Sequence, residues 1–190
     1  MVDGKVGIVG FGYWGKNQAR VFHELNSLSG IYEENLQNIK KNSSYNFFDS
    51  LDQLLNESDG IVICTPAETH YEIALKALKN GVDVLVEKPI ALNTKEVKKI
   101  IEIEKSNRAI VMVGHQLHFH PAVVKMKEII KDGKIGKIKW IYSNRLNLGK
   151  IRPYENVLWS FAPHDISLIL DFVNSEIINL EIQATKILNN

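Results

Sequence analysis

The chain has 190 residues, a formal net charge of +1, 45% apolar residues and 24% charged residues. These proportions are ordinary for a globular protein and give no electrostatic reason to invoke nucleic acid or an anionic membrane as partner. Cys64 is the only cysteine, so an intramolecular disulfide is excluded and an oxidising compartment is not implied. No apolar stretch approaches the roughly 20 residues needed to span a bilayer. Met1-Val2-Asp3-Gly4-Lys5 runs straight into a strand-like segment and leaves no room for a signal peptide. A cytoplasmic protein is the expectation.

Strand-like and helix-like segments alternate over the first two-thirds of the chain. Apolar β-rich runs occur at Lys5–Gly10, Ser29–Glu33, Gly60–Cys64, Val82–Val86 and Ala109–Gly114. Between them, Ile73, Ala74, Ala77 and Leu78, then Val97, Ile100 and Ile101, fall at helical spacing. This alternation predicts an α/β fold with a doubly wound parallel sheet and crossover helices. Gly81 reads as a helix C-terminus, and Asn93-Thr94 as the N-cap of the next helix. After Gly114 the pattern changes. Ala122–Lys131 reads as a helix, Asp132–Gly136 as a turn and Lys137–Asn147 as an alternating strand. A loop with Pro153, an apolar helix at His164–Val173 and a strand at Glu176–Ala184 complete the pattern. The predicted boundary lies near His118, giving domains 1–118 and 119–190. The second is too short for an ordinary independent domain and is expected to form an incomplete sheet.

The first strand runs directly into Gly10-Phe11-Gly12-Tyr13-Trp14-Gly15, a G-x-G-x-x-G segment between a strand and a helix. In a dinucleotide fingerprint the first glycine makes the tight turn and the second admits the pyrophosphate. The third lets helix and strand pack closely, and the helix N-terminus faces the phosphates. Glu33 ends the second strand at about the ~20-residue distance expected of the ribose carboxylate. A carboxylate there accepts from both ribose hydroxyls and repels a 2′-phosphate, so NAD is expected over NADP. The alternative for Glu33 or Glu34 is a solvated helix N-terminus favoured by the dipole.

The strand that ends in Cys64 is followed by Thr65-Pro66 and then Glu68-Thr69-His70. Thr65, Pro66 and His70 are candidate walls of the nicotinamide-ribose pocket, because ligands meet an open α/β sheet at its carboxyl edge. Thr65 has a second reading as a helix cap, and Cys64 reads as a small core residue. The run Val82–Val86 ends in Glu87-Lys88-Pro89, which places a lysine at that same edge.

Taken together, G-F-G-Y-W-G, C-T-P-A-E-T-H, G-V-D-V-L-V-E-K-P-I-A-L and V-G-H-Q-L-H-F-H-P resemble the Gfo/Idh/MocA oxidoreductase family. The stretch from Asn144-Arg145 to Asn156-Val157-Leu158-Trp159-Ser160-Phe161-Ala162-Pro163-His164-Asp165-Ile166 resembles a narrower branch acting at C3 of UDP-N-acetylglucosamine or its uronic acid. The resemblance implies a Rossmann domain followed by an α+β open-sheet domain that carries the substrate pocket and often the dimer interface. It implies NAD(P)-dependent oxidation of a sugar or cyclitol hydroxyl. Lys88 would be the catalytic lysine and His164 the catalytic histidine. Such an oxidation needs a base for the hydroxyl proton and a cation beside the developing oxyanion. His164 suits the first role and Lys88 the second.

The chain departs from that pattern in three ways. Ser160 stands where many relatives have aspartate, and His118 where many have arginine. Family members usually continue by a hundred residues or more beyond the position of Asn190. A fragment, a natural short form and an inactive remnant all remain open, and with them a nucleotide-binding protein of little turnover. Association through the second-domain sheet is a further expectation. His115, His118 and His120 invite a metal reading but lack an accompanying carboxylate or cysteine, so His118 is read as a wall of the substrate cleft and no metal is expected. Arg145 and Arg152 are candidate partners for the diphosphate or carboxylate of a nucleotide sugar, or else solvated loop arginines.

Overall fold

Five apolar runs pair into one parallel sheet: β1 (Val6–Val9), β2 (Leu28–Tyr32), β3 (Gly60–Ile63), β4 (Asp83–Val86) and β5 (Val111–Val113). The computed structural model describes residues 4–35, 44–146, 157–173 and 175–185. The strand order is β2-β1-β3-β4-β5, so the winding reverses between β1 and β3. All four pairings are parallel. β1 and β3 are buried on both faces, which is why they read as continuous apolar runs without alternation.

Both faces of the sheet are covered. On one, Leu54 and Leu55 of α2 (Leu51–Asn56), Ala74, Ala77 and Leu78 of α3 (Ala67–Lys79) and Ile100 of α4 (Thr94–Asn107) pack with Val9, Ile61, Ile63, Val84 and Val86. On the other, Ala19 of α1 (Tyr13–Glu24) packs with Ile8, Phe11, Ile31 and Val62. Asn93 caps α4: its side chain accepts from the Glu96 N–H at 3.0 Å, while the Glu96 carboxylate accepts from the Leu92 N–H at 3.3 Å. This reciprocal pair satisfies donors that a helix start otherwise leaves open.

The chain separates into two compact units, Met1–His115 and Gln116–Asn190. The second contains a 3-10 turn (Gln116–Phe119), α5 (Pro121–Lys131), α6 (Val157–Ser160) and α7 (Ala162–Val173). His120 caps α5 by accepting from the Ala122 N–H at 3.2 Å. The strands expected at 137–147 and 176–184 do not form among the described residues: 137–146 and 176–185 belong to no ladder, and Asn147 lies outside the described residues. Trp140 is 82% exposed and Ile178 fully exposed. Alternation is a local signal, but a strand exists only when a neighbour takes its main-chain hydrogen bonds. Among the described residues none does.

Leu54 is fully buried against β1 and β3. Leu54→Ala is expected to lower stability by about 3 kcal/mol, as deletion of a buried leucine generally does. A urea melt checks this, and a change below about 1 kcal/mol would contradict the packing described.

Candidate cofactor and active site

The register of the sheet aligns the candidate residues along its carboxyl edge. Val9 pairs with Tyr32 on one side and Ile63 on the other; Ile63 pairs with Val86, and Val86 with Val113. The next residues, Gly10, Glu33, Cys64, Glu87 and Gly114, therefore leave the sheet side by side. Main-chain bonds hold the row: Gly10 N–H to Tyr32 O, Cys64 N–H to Val9 O, Glu87 N–H to Ile63 O and Gly114 N–H to Val86 O, all between 2.8 and 3.0 Å.

Glycine is required at both ends of the loop from β1 to α1. Gly10 has φ +90°, and a Cβ there would lie 2.9 Å from the Thr65 methyl. A Cβ on Gly15 would lie 1.8 Å from the Gly10 carbonyl oxygen. Gly12 differs. A Cβ there meets nothing within 4 Å. It projects into open space at the start of α1, whose first turn has no side-chain cap and no acidic residue. Uncapped N–H groups and an empty cradle fit a dinucleotide pyrophosphate. Tyr13 and Trp14 extend from this turn as an edge-to-face pair with ring centroids 5.6 Å apart. Phe11 turns the other way. It is 5% exposed, packed edge-on against Phe47 and Tyr45. The Phe11 ring is thus part of the core rather than a contact surface for the cofactor, and only its main chain faces the site.

Glu33 anchors the loop. One carboxylate oxygen accepts from the Phe11 N–H at 2.5 Å and the other from the Asn35 N–H at 2.7 Å. The carboxylate is therefore held beside the glycine turn at the end of β2, where it fits a ribose diol.

Thr65, half-buried, and Pro66, exposed, follow β3 at the edge. Pro66, not Thr65, is the N-cap of α3. The Thr65 hydroxyl accepts from Thr69 at 2.7 Å. His70 does not line a pocket: it is 1% exposed, with Nδ1 2.7 Å from the Pro89 carbonyl and Nε2 2.9 Å from that of Thr65. Lys88 and Pro89, joined by a cis peptide bond, are half-buried after β4. Burial pushes the Glu87 carboxyl above the usual carboxylate range, opposed by the Lys88 ammonium, the Lys88 N–H and His70. Burial, and secondarily Glu87, pushes the Cys64 thiol up to about 12, so it is no nucleophile.

In the second unit His164 lies in the first turn of α7, its N–H donating to Phe161 O at 3.2 Å. The next residue, Asp165, accepts from Ser143 Oγ at 2.9 Å and forms an ion pair with Arg145 Nε. Arg145, read as a partner for a diphosphate or carboxylate or else as a solvated loop arginine, pairs with the residue beside His164. His118 is likewise engaged. Its Nδ1 lies 3.0 Å from Lys127 Nζ and 3.3 Å from Asp171 of α7, which Lys127 contacts at 2.5 Å. The hydrogen bond from Lys127 holds the Asp171 carboxyl below its usual range. Sequence reasoning missed Asp165, Lys127 and Asp171. The available signal was spacing, since His164 and Asp171 are seven apart and share a helix face. Arg152 lies outside the described residues. Among the described residues no three His, Cys, Asp or Glu side chains cluster as a metal site, and no helix is long and apolar enough to cross a membrane.

The family model described as "Oxidoreductase family, NAD-binding Rossmann fold" matches residues 4–115. The chain belongs to the Gfo/Idh/MocA oxidoreductase family. It is 28% identical over 180 residues to UDP-N-acetylglucosamine 3-dehydrogenase of Acidithiobacillus ferrooxidans, covering 93% of this chain and 56% of the relative. A solved structure of that enzyme matches with a TM-score of 0.85 at 27% identity, covering 94% of this chain and 59% of the other. The chain is also 30% identical over 197 residues to an inositol 2-dehydrogenase/D-chiro-inositol 3-dehydrogenase of Lactiplantibacillus plantarum, covering 96% of this chain and 56% of the relative. It thus spans little more than half the length of these curated relatives. The cofactor of the family is NAD, which agrees with the glycine loop and Glu33.

Gly12→Val should leave the melting temperature nearly unchanged, because the added Cβ meets no protein atom within 4 Å. It should weaken NAD binding at least tenfold by filling the cradle, as calorimetry would show; wild-type affinity would contradict the site. A second expectation concerns Glu87. Its folded pKa is raised, so between the unfolded and folded values the native state holds a proton that the unfolded chain has released. Stability from this group is present below the unfolded value and is lost as pH rises through the folded one. Glu87→Gln should flatten that decline and stabilise the protein at neutral pH. Urea melts at a series of pH values check this, and an unaltered slope would contradict it.

Proposed function

We propose that this chain carries the NAD site and catalytic groups of a dehydrogenase that oxidises a secondary hydroxyl of a sugar, with C3 of a UDP-aminosugar as the favoured substrate. The observation that carries the reading is the placement of Lys88. It leaves β4 at the level where the glycine loop leaves β1, two strands away. At about 4.8 Å per strand that is roughly 10 Å, a span suited to a pyrophosphate at one end and a nicotinamide at the other.

When bound, NAD supplies the hydride acceptor. The chain supplies the rest. Lys88 presents an ammonium to the substrate oxygen as negative charge develops there, while the role of base for His164 rests on the family resemblance alone. Ser143 and Arg145, through Asp165, hold the first turn of α7 on which His164 sits. The UDP-sugar assignment draws on the Acidithiobacillus relative. Commitment of Arg145 to Asp165 removes one cation from the expected diphosphate site and favours a second reading, a free sugar or cyclitol, in line with the inositol dehydrogenase relative. A nucleotide-binding protein of little turnover is a third, supported by the absence of a second sheet among the described residues. We place the protein in the cytoplasm, in keeping with its lone free cysteine.

NAD is expected to bind more tightly than NADP by at least tenfold, because the Glu33 carboxylate would face the 2′-phosphate. Parallel calorimetric titrations decide this, and equal or tighter NADP binding would sink the assignment. A screen of UDP-sugars and inositols, followed by NADH fluorescence, tests the reaction. Lys88→Ala should abolish any turnover found while changing cofactor affinity less than threefold, as expected of a group acting in the transition state. Turnover unaffected by the substitution would remove Lys88 from the mechanism.

A further inference from the structure

We propose that His70 is a positioning residue for the nicotinamide half of the cofactor cleft, acting through the two main-chain carbonyls that it bridges. The inference rests on the NAD site described above and adds a residue to it.

His70 is the most deeply buried polar side chain among the described residues, at 1% exposed. It sits in the first turn of α3, behind the carboxyl edge of the sheet. β3 and β4 are in register up to Ile63 and Val86, and the Glu87 N–H still donates to Ile63 O. Beyond that bond the two chains part, one turning into α3 and the other running toward α4. The imidazole fills the gap. Nε2 meets the carbonyl of Thr65, the second residue past β3, and Nδ1 meets that of Pro89, the residue after Lys88. Both partners are acceptors only, so a ring nitrogen that carries a hydrogen donates to the carbonyl it faces.

Few side chains can make such a link. Imidazole holds two diverging nitrogens on one rigid ring. The donors of asparagine or glutamine share one nitrogen, and those of lysine sit on a long flexible stem. A buried carbonyl that loses its donor carries a desolvation penalty and drives local rearrangement. Here the rearranged segments would be Thr65-Pro66 and Lys88-Pro89, the nicotinamide end. The glycine loop and Glu33 are tied to each other by the Phe11 bond, and the hydrogen bonds of His70 go to Thr65 and Pro89 instead. The adenosine half should therefore be indifferent to His70, and the nicotinamide half should not.

ADP-ribose lacks the nicotinamide ring, so it reads the first half of the cleft alone. Dissociation constants for ADP-ribose and NADH are measured by calorimetry on the wild-type chain, His70→Phe and His70→Gln, with melting curves for each. We expect ADP-ribose affinity to stay within twofold throughout. NADH affinity should fall at least tenfold in His70→Phe, with loss of the shift in NADH emission on binding. His70→Gln, which keeps one donor, should lie between and guards against a Phe variant that does not fold. A parallel fall in both affinities would show that His70 serves the fold alone, and unchanged NADH affinity in either folded variant would show that it serves neither; each overturns the proposal. A wild-type chain that binds neither ligand would overturn the cofactor site itself and this proposal with it.

Discussion

Hydrogen bonds between the main chains at the carboxyl edge of the sheet set the geometry on which the whole candidate site depends. Gly10, Cys64, Glu87 and Gly114 each donate to the preceding strand position of a neighbour, and this holds five chain exits at one level. A parallel ladder has slanted, evenly spaced bonds, so register on one pair propagates to the next. A slip of one residue at β4 would turn Lys88 to the opposite face and move it along the edge. The buried cores on both faces prevent that slip, because Val84 and Val86 cannot exchange places with Asp83 and Leu85 without exposing apolar surface.

The edge also gathers charge. The open first turn of α1 offers partial positive charge at one end and Lys88 a full one at the other. The carboxylates answer them from defined places: Glu33 is fixed by two main-chain donors, and Glu87 is half-buried next to the lysine in sequence. In the second unit the pattern recurs on α7, where Arg145 meets Asp165 at the start of the helix and Lys127 with His118 meets Asp171 two turns later. These contacts leave His164 on a helix pinned at both ends. Arg145, Lys127 and His118 thus meet carboxylates of one helix.

Legibility in the sequence followed how local each signal was. The five strands were readable because fully buried parallel strands are continuous apolar runs, and the glycine loop because a tight turn and a close approach each demand glycine. The position of Glu33 at the end of the second strand was readable by its distance from that loop. The surroundings of Phe11, His70 and Arg145 were not readable for one reason: each is decided by a contact with residues far away in sequence. The burial of Phe11 depends on Tyr45 and Phe47, the bridge of His70 on Pro89, and the pairing of Arg145 on Asp165. The alternation at 137–147 and 176–184 failed differently. It describes side-chain sidedness correctly, since the rings of Trp140 and Tyr142 lie 5.9 Å apart, but says nothing about a pairing partner.

The central claim, that the carboxyl edge of this sheet is the NAD cleft, is tested most directly by mapping amide shifts of the 15N-labelled chain on titration with NAD. The account predicts that the largest perturbations fall on Gly12, Tyr13 and Trp14, on Glu33, and on Thr65 and Lys88. A competing concavity at the opposite edge is lined by Gly4, Lys5, Asn26, Glu57, Ser58 and Asp59. Perturbations centred on that group, with the glycine loop and Lys88 unmoved, would contradict the account.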